Sequence, residues 1–250
     1  EAGAIIVNYF EDMKNPEGDT AALDQALGGA ISQLIKQGEI KGKLNEITVI
    51  HSLGKVPADR VVIAGLGKRE DLSLEKIRGA IAGSCRLLLR KHISSIATVA
   101  QGAGIAGITE EEAAQTLTEG TLLGTYSFRR HQTKESDNGE IELLTIVEAD
   151  ESKVSPLEQG RDKGTIMAEA AIFARDMVNE PANYMTPTDM AETATKIAGT
   201  YGLGISVLDV EQMEELGMGA LLGVAQQSRQ PAKFIILNHK GRASGEIDIA

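Results

Sequence analysis

The sequence predicts an α/β protein with mixed or largely parallel sheets, divided into two domains. Three observations predict it. Short β-branched runs alternate with stretches of helical apolar spacing along the chain, the pattern that places helices on sheet faces. The 250 residues are 42% hydrophobic and 24% charged, globular values, but only 3% aromatic with no Trp, so the core is aliphatic. A long helical stretch stopped by Pro181 then separates a complete first half from an interrupted second half. At roughly 100–200 residues per domain, this length allows one large or two modest domains.

The elements follow in order. Ala4–Tyr9 is a short apolar run and reads as a strand. Asp19-Thr20 opens a helical stretch with Leu23, Leu27, Ile31, Leu34 and Ile35 on one side. Ile47–His51 and Arg60–Leu66 are β-branched runs joined by a Gly54/Pro57 turn, predicting a hairpin or adjacent strands. Ser73 is placed to cap a helix to about Lys91, and Ile93–Ala100 is the next strand. Thr109-Glu110-Glu111-Glu112 is a capping-box pattern for a helix to about Leu123. A polar loop over Arg129–Gly139 leads to a strand over Ile141–Val147. The long helix is expected from Pro156 to Val178, ending before Pro181 because proline disfavours helical geometry in the residue it follows. Thr186-Pro187-Thr188-Asp189 restarts a helix, and Ile205–Val210 and Lys233–Asn238 supply strands around a Gly-rich segment, Gly217–Gly223. The resulting expectation is one domain over 1–150, a bridging helix and turn over 151–182, and an incomplete second domain over 183–250.

Charge and cysteine content narrow the function classes. With 36 Asp+Glu against 25 Lys+Arg the net charge is −11, which argues against nucleic-acid and anionic-membrane partners, since phosphate is held by clustered Lys and Arg. A single cysteine, Cys85, excludes an internal disulfide and points to a reducing, cytoplasmic compartment with the thiol unpaired. The longest uncharged stretch, Ile93–Thr109, is broken by serines, Gln101 and three glycines and is short for the roughly 20 apolar residues of a membrane span. The chain begins without Met or a basic leader and stops within alternating residues at Gly245–Ala250, which reads as a piece excised from a longer protein.

The local motifs carry little chemistry. Gly102-Ala-Gly-Ile-Ala-Gly107 fits G-x-G-x-x-G after a strand. The helix cap falls later, at Thr109, and Glu110, Glu111 and Glu112 would repel a phosphate from the first turn, so a flexible loop is expected instead of a dinucleotide site. Gly54-Lys55 and Gly67-Lys68 lack the rest of a phosphate-binding loop and read as turns. His51, His92, His131 and His239 are far apart, without partners at ligand spacing. No G-x-S-x-G is present, and Cys85 sits in a helix-interior context that favours an inert thiol. Asp176 and Glu180 are four apart, but beside Pro181 a solvated or turn-stabilising role is expected. No catalytic, cofactor-binding or metal-binding residue is therefore assigned in this chain.

A resemblance carries further. Ala174-Arg-Asp-Met-Val-Asn-Glu-Pro-Ala-Asn-Tyr-Met-Thr-Pro-Thr-Asp-Met-Ala191 resembles the A-R-D-L-x-N-x-P-x-N-x-x-T-P-x-x-x-A segment of the leucyl (cytosol) aminopeptidase family, where the interdomain helix hands over to the catalytic domain. Leu216-Gly-Met-Gly-Ala-Leu-Leu-Gly-Val-Ala-Gln-Gln-Ser228 and Pro231-Ala-Lys-Phe-Ile-Ile-Leu-Asn-His-Lys-Gly241 resemble later segments of that family. Ala22–Gly29, Val61–Lys68 and Glu119–Phe128 resemble its amino-terminal domain. Gln227 stands where the family has Gly, and Asn238-His239 replaces a common Glu-Tyr. The family's V-G-K-G-x-x-x-D-S-G-G and N-T-D-A-E-G-R motifs, which carry the metal ligands and the catalytic Lys and Arg, would follow Ala250.

The resemblance implies a macro-domain-like, mixed-sheet amino-terminal domain, the bridging helix, and the first part of an α/β metallopeptidase domain. For the intact protein it implies removal of amino-terminal residues from peptides by two divalent metal ions, zinc or manganese, in a hexamer. Bound metal activates water and stabilises the tetrahedral oxyanion. This chain alone, with no metal expected in it, is expected to be inactive. The alternative is a macro-domain-like module binding ADP-ribose or another nucleotide, with Gly102–Gly107 as its candidate phosphate loop.

Overall fold

The computed structural model describes residues 2–134 and 139–241. The strand-like Gly245–Ala250 end and part of the Arg129–Gly139 loop lie outside these residues. The chain forms two compact units, Glu1–Ala174 and Arg175–Ala250.

In the first unit, strands β1 (Ala4–Tyr9), β2 (Ile47–His51), β3 (Arg60–Gly65), β4 (Ser95–Val99) and β5 (Leu143–Val147) make one sheet in the order β2-β3-β1-β4-β5. β1 runs parallel to β3 and β4, β4 is parallel to β5, and β2 returns antiparallel on β3 as the expected hairpin. The period of two along a strand divides the core between the two faces. Ile6, Val62 and Ala64 pack with Ile77, Ile81, Leu88, Ile96 and Leu117, all buried, on one side. Val7, Val61 and Ile63 pack with Leu27, Ile31 and Ile40 on the other.

The second face is covered by two helices, α1 (Gly18–Ala26) and α2 (Ala30–Gln37), where the apolar spacing predicts one helical stretch. Gly28 and Gly29 break it, with φ of 72° and 83°, a left-handed conformation that costs glycine nothing. No side chain at Gly29 can cap α2, so Asp24 does it from α1. Its carboxylate accepts from the N–H groups of Ile31 (2.8 Å) and Ser32 (3.0 Å).

The first face is covered by α3 (Leu74–Leu89) and α4 (Glu110–Thr125). Each begins at its expected cap. Ser73 Oγ accepts from Lys76 N–H, and Thr109 and Glu112 form the reciprocal capping box. The two helices approach closely because Gly120 faces Ile81, where a Cβ would overlap the isoleucine.

Helix α5 (Glu151–Asn179) begins five residues before Pro156, the expected start, and carries that proline inside it. Two features offset the missing proline N–H. Asp150 Oδ1 caps the helix by accepting from Ser152 N–H at 3.0 Å. Leu157, Gly160, Gly164 and Ala168 then form a buried stripe. Gly160 lies so close to the Glu111 carbonyl that no larger residue fits. The division between the two units falls within this helix, at Ala174/Arg175.

The second unit contains α6 (Pro187–Tyr201), β6 (Gly204–Leu208), α7 (Val210–Glu215), α8 (Gly219–Ala225) and β7 (Phe234–Asn238). β6 and β7 pair antiparallel in a two-stranded sheet separate from the first. The Gly-rich connection expected over Gly217–Gly223 is partly helical, and α7 precedes it. The Asp209/Gln212 capping box starts α7, cutting the expected strand short at Leu208.

Candidate functional site

The segment that carries the strongest family resemblance is built around Pro181. At the end of α5 the Glu180 N–H donates to the Asp176 carbonyl at 3.0 Å, closing the last turn. The N–H groups of Tyr184 and Met185 both donate to the Pro181 carbonyl, at 2.8 and 3.0 Å, which turns the chain. Thr186 then caps α6. Its Oγ1 accepts from Asp189 N–H, the Asp189 carboxylate accepts from Thr186 N–H, and Pro187 takes the first helical position, where no N–H is required. Hydrogen bonds from the Thr186 hydroxyl and backbone hold the Asp189 carboxyl below its ordinary range. Of the solvated or turn-stabilising role expected for this pair, Asp176 is exposed, whereas Glu180 is buried, at 8% exposure, at the turn that ends the helix.

The remaining candidates fall into structural roles. Gly54 and Gly67 have φ of 78° and 75° and occupy turns, and Lys55 Nζ donates to the Leu27 carbonyl at 2.8 Å. The four histidines are all exposed. His51 Nδ1 lies 3.0 Å from Arg60 Nη1. Cys85 is free and fully buried, and burial pushes its thiol up to about 11. Among the described residues, no three His, Cys, Asp or Glu side chains converge in a way that could hold a metal ion.

The Gly102–Gly107 loop is folded onto the core instead of standing free. Ile105 and Ala103 pack against the first apolar cluster, Ile108 is buried, and Gly104 N–H donates to the Ile108 carbonyl. A Cβ on Gly102 would run into Ile77. The first turn of α4 is committed to its own capping box, and Glu112 is held below its ordinary range first by the Thr109 backbone N–H. These contacts give the loop a packing role in place of the flexible one expected, and they leave the alternative's candidate phosphate loop without free donors at Thr109 and Glu112.

One ionic cluster escaped the sequence reading. Arg78 on α3 reaches Glu119 on α4, which is 7% exposed and also accepts from Gln115 Nε2 at 2.7 Å; Arg78 bonds Glu75 as well. The carboxylates raise the arginine pKa against the lowering effect of burial. This cluster locks α3 to α4.

Concave surface occurs in both units. A cavity of about 510 Å³ lies between α4, β5 and α5 in the first unit, and another of about 520 Å³ in the second is lined by Pro187, Leu221, Val224, Ser228 and Lys233. Among the described residues, no helix is long and apolar enough to cross a membrane.

Comparison with known proteins agrees with this division of the chain. Residues 6–135 match the model of the cytosol aminopeptidase family, N-terminal domain, and residues 172–250 match that of the cytosol aminopeptidase family, catalytic domain. The chain is 37% identical over 246 residues to a probable cytosol aminopeptidase of Alkaliphilus oremlandii, covering 98% of this chain and 49% of that protein. It is 36% identical over 233 residues to one of Geotalea uraniireducens, covering 90% and 45%. The chain thus spans about half the length of the curated relatives it matches. Among solved structures, a mutant of tomato leucine aminopeptidase aligns with a TM-score of 0.77 at 24% identity over 95% of this chain and 48% of that one. The bottromycin maturation enzyme BotP aligns at 0.77 and 22% identity over 97% and 47%. These two likenesses show the shared fold. With its first unit matched by the amino-terminal model and its second by the catalytic model, the chain belongs to the cytosol aminopeptidase family.

Proposed function

We propose that this chain is the amino-terminal domain and the opening part of the catalytic domain of a two-metal leucyl aminopeptidase, a cytoplasmic hexamer that removes amino-terminal residues from peptides. In this reading residues 1–150 are the amino-terminal domain, 151–182 the interdomain helix and turn, and 183–250 the start of the catalytic domain. The observation that carries it is the ordered match of the two family models, the amino-terminal one over residues 6–135 and the catalytic one from residue 172 onward, the latter including the Asn179–Pro187 turn.

Two divalent ions, zinc or manganese, belong to the reading, and BotP has been solved in complex with Mn. The described residues do not fit such a pair. A two-metal site needs several donors converging on ions about 3.5–4 Å apart, and no such convergence is found among them. In this reading the chain's own contribution is structural. Its first unit packs an apolar cluster on each face of its sheet, and the turn at Pro181 with the Thr186 cap fixes where α6 begins.

The test is hydrolysis of a leucine anilide with added manganese or zinc, by the longer parent protein and by this chain alone. Turnover by the parent and none by the chain is the expected result. Comparable turnover by the chain would show that its own residues hold the active site. Sedimentation of the parent checks the hexamer. Calorimetric titration of the chain with ADP-ribose checks the nucleotide-module alternative, which the packed Gly102–Gly107 loop counts against.

A further inference from the structure

The cleft between α4, β5 and α5 has features that the aminopeptidase reading does not use. β5 is the last strand of its sheet, paired with β4 alone among the described residues. Consecutive residues Leu144, Thr145 and Ile146 all line the cleft. Side chains of consecutive strand residues point to opposite faces, so a cavity touching all three runs along the strand's edge, where main-chain groups are presented. Because Leu143 N–H donates to Ser94 on the β4 side, alternation directs the N–H groups of Leu144 and Ile146 toward the open edge.

Natural sheets blunt such an edge with lysine, proline or a bulge. The sequence of β5, Leu-Leu-Thr-Ile-Val, has no proline and no charge, and Leu143 and Val147 are 56% and 52% exposed. The floor beside it is apolar, with Leu122, Val154 and Leu157. Its charge is predominantly negative. Among the described residues, Glu142, Glu148, Glu158 and Glu169 line the cleft against one cation, Arg161, which is paired with Asp162 at 2.8 Å.

We propose that the open edge of β5 and this cleft bind an extended basic peptide segment, which adds to the sheet as a further strand. Main-chain pairing along β5 extends over about 17 Å, a strand of about five residues. Alternate apolar side chains of the segment lie on the Leu143/Val147 surface, and the lysines or arginines between them point to the opposite face, toward the glutamates of the cleft. The proposal does not depend on peptidase activity.

The probe is a short fluorescein-labelled peptide of alternating lysine and valine, titrated by anisotropy against the full chain at low salt. Two control peptides replace lysine by glutamate, or valine by proline. The expected result is binding of the lysine–valine peptide alone, with slower amide exchange at Leu144 and Ile146 in its presence. The triple variant Glu142→Lys/Glu158→Lys/Glu169→Lys, all at exposed positions, should weaken it about tenfold or more with unchanged circular dichroism, as expected for three reversed charge pairs. Equal binding of the lysine–proline peptide overturns strand addition. Equal binding of the glutamate peptide or by the triple variant overturns the charge argument, and no binding, or exchange protection elsewhere, overturns the site.

Discussion

Arg78 closes over Glu119 with two donors on one oxygen: Nε and Nη2 lie 2.9 and 2.7 Å from Oε2, joining α3 to α4 across 41 residues of sequence. The glutamate is buried and the arginine side chain is 28% exposed, so the pair is only partly removed from water.

Removing Glu119 takes away both bonds from Arg78 and the one from Gln115 and opens a gap between the helices, while Arg78 keeps Glu75 and water as partners, so the cost comes from lost charge-assisted hydrogen bonds and packing. Glu119→Ala should lower stability by about 2–3 kcal/mol, less than for a fully buried pair because water still reaches Arg78. The double variant Arg78→Met/Glu119→Leu should recover part of that loss. Urea unfolding of the single and double variants measures both, and a double variant less stable than Glu119→Ala would show that the pair contributes net stability beyond its packing.

The contrast between two helical glycines gives a second test. At Gly160 an added Cβ would overlap the Glu111 carbonyl, whereas at Gly199 in α6 it would meet nothing within 4 Å. Gly160→Ala should therefore cost about 1–3 kcal/mol by overpacking α5 against α4. Gly199→Ala should add about 0.5–1 kcal/mol by removing backbone freedom from the unfolded chain. Thermal unfolding reads both, with opposite signs.

What the sequence revealed was local. The capping boxes at Thr109/Glu112 and Thr186/Asp189 were legible because both partners lie within four residues and the helix follows at once. Asp209/Gln212 has the same chemistry but starts only a six-residue helix, too short for an apolar period to show. The Gly28-Gly29 break was hidden by apolar spacing that continues in phase across it, and Asp24 reaches the next helix seven residues away. Arg78–Glu119 and the cleft beside β5 unite elements far apart in the chain, and composition holds no trace of that meeting. For the candidate site, the motifs around Pro181 disclosed the family, while the burial of Glu180 depends on tertiary packing and could not be read from its place at a helix end.

The Thr186/Asp189 cap has a pH signature. Asp189 is held below its ordinary value of 3.8 by hydrogen bonds from Thr186, so the folded state binds its proton less readily than the unfolded state. The cap's contribution is present above 3.8 and is lost as pH falls through the lower folded value. Thr186→Val removes the hydroxyl, so Asp189 should titrate closer to 3.8 by carboxyl NMR, and an unchanged titration would show that the backbone N–H alone sets it.

Cys85 gives a signal at the other end of the pH range. Its thiol is surrounded by the α3–α4 core, and the loss of hydration on burial raises it from an ordinary 9.0 to about 11, against smaller opposing effects of Thr121 and Arg86. The native state therefore keeps its proton at pH values where the unfolded chain has released it. Stability from this group is fully present below 9.0 and is lost as pH rises through the folded value near 11. That span corresponds to about 2–3 kcal/mol for a single site. Cys85→Ser removes the titration, so the difference in stability between wild type and variant should shrink by that amount as pH is raised from neutral to strongly alkaline in urea melts. The same burial predicts that a thiol reagent near neutral pH modifies Cys85 only at the rate at which the core opens, and modification as fast as that of a free thiol would show that the α3–α4 interface is not closed.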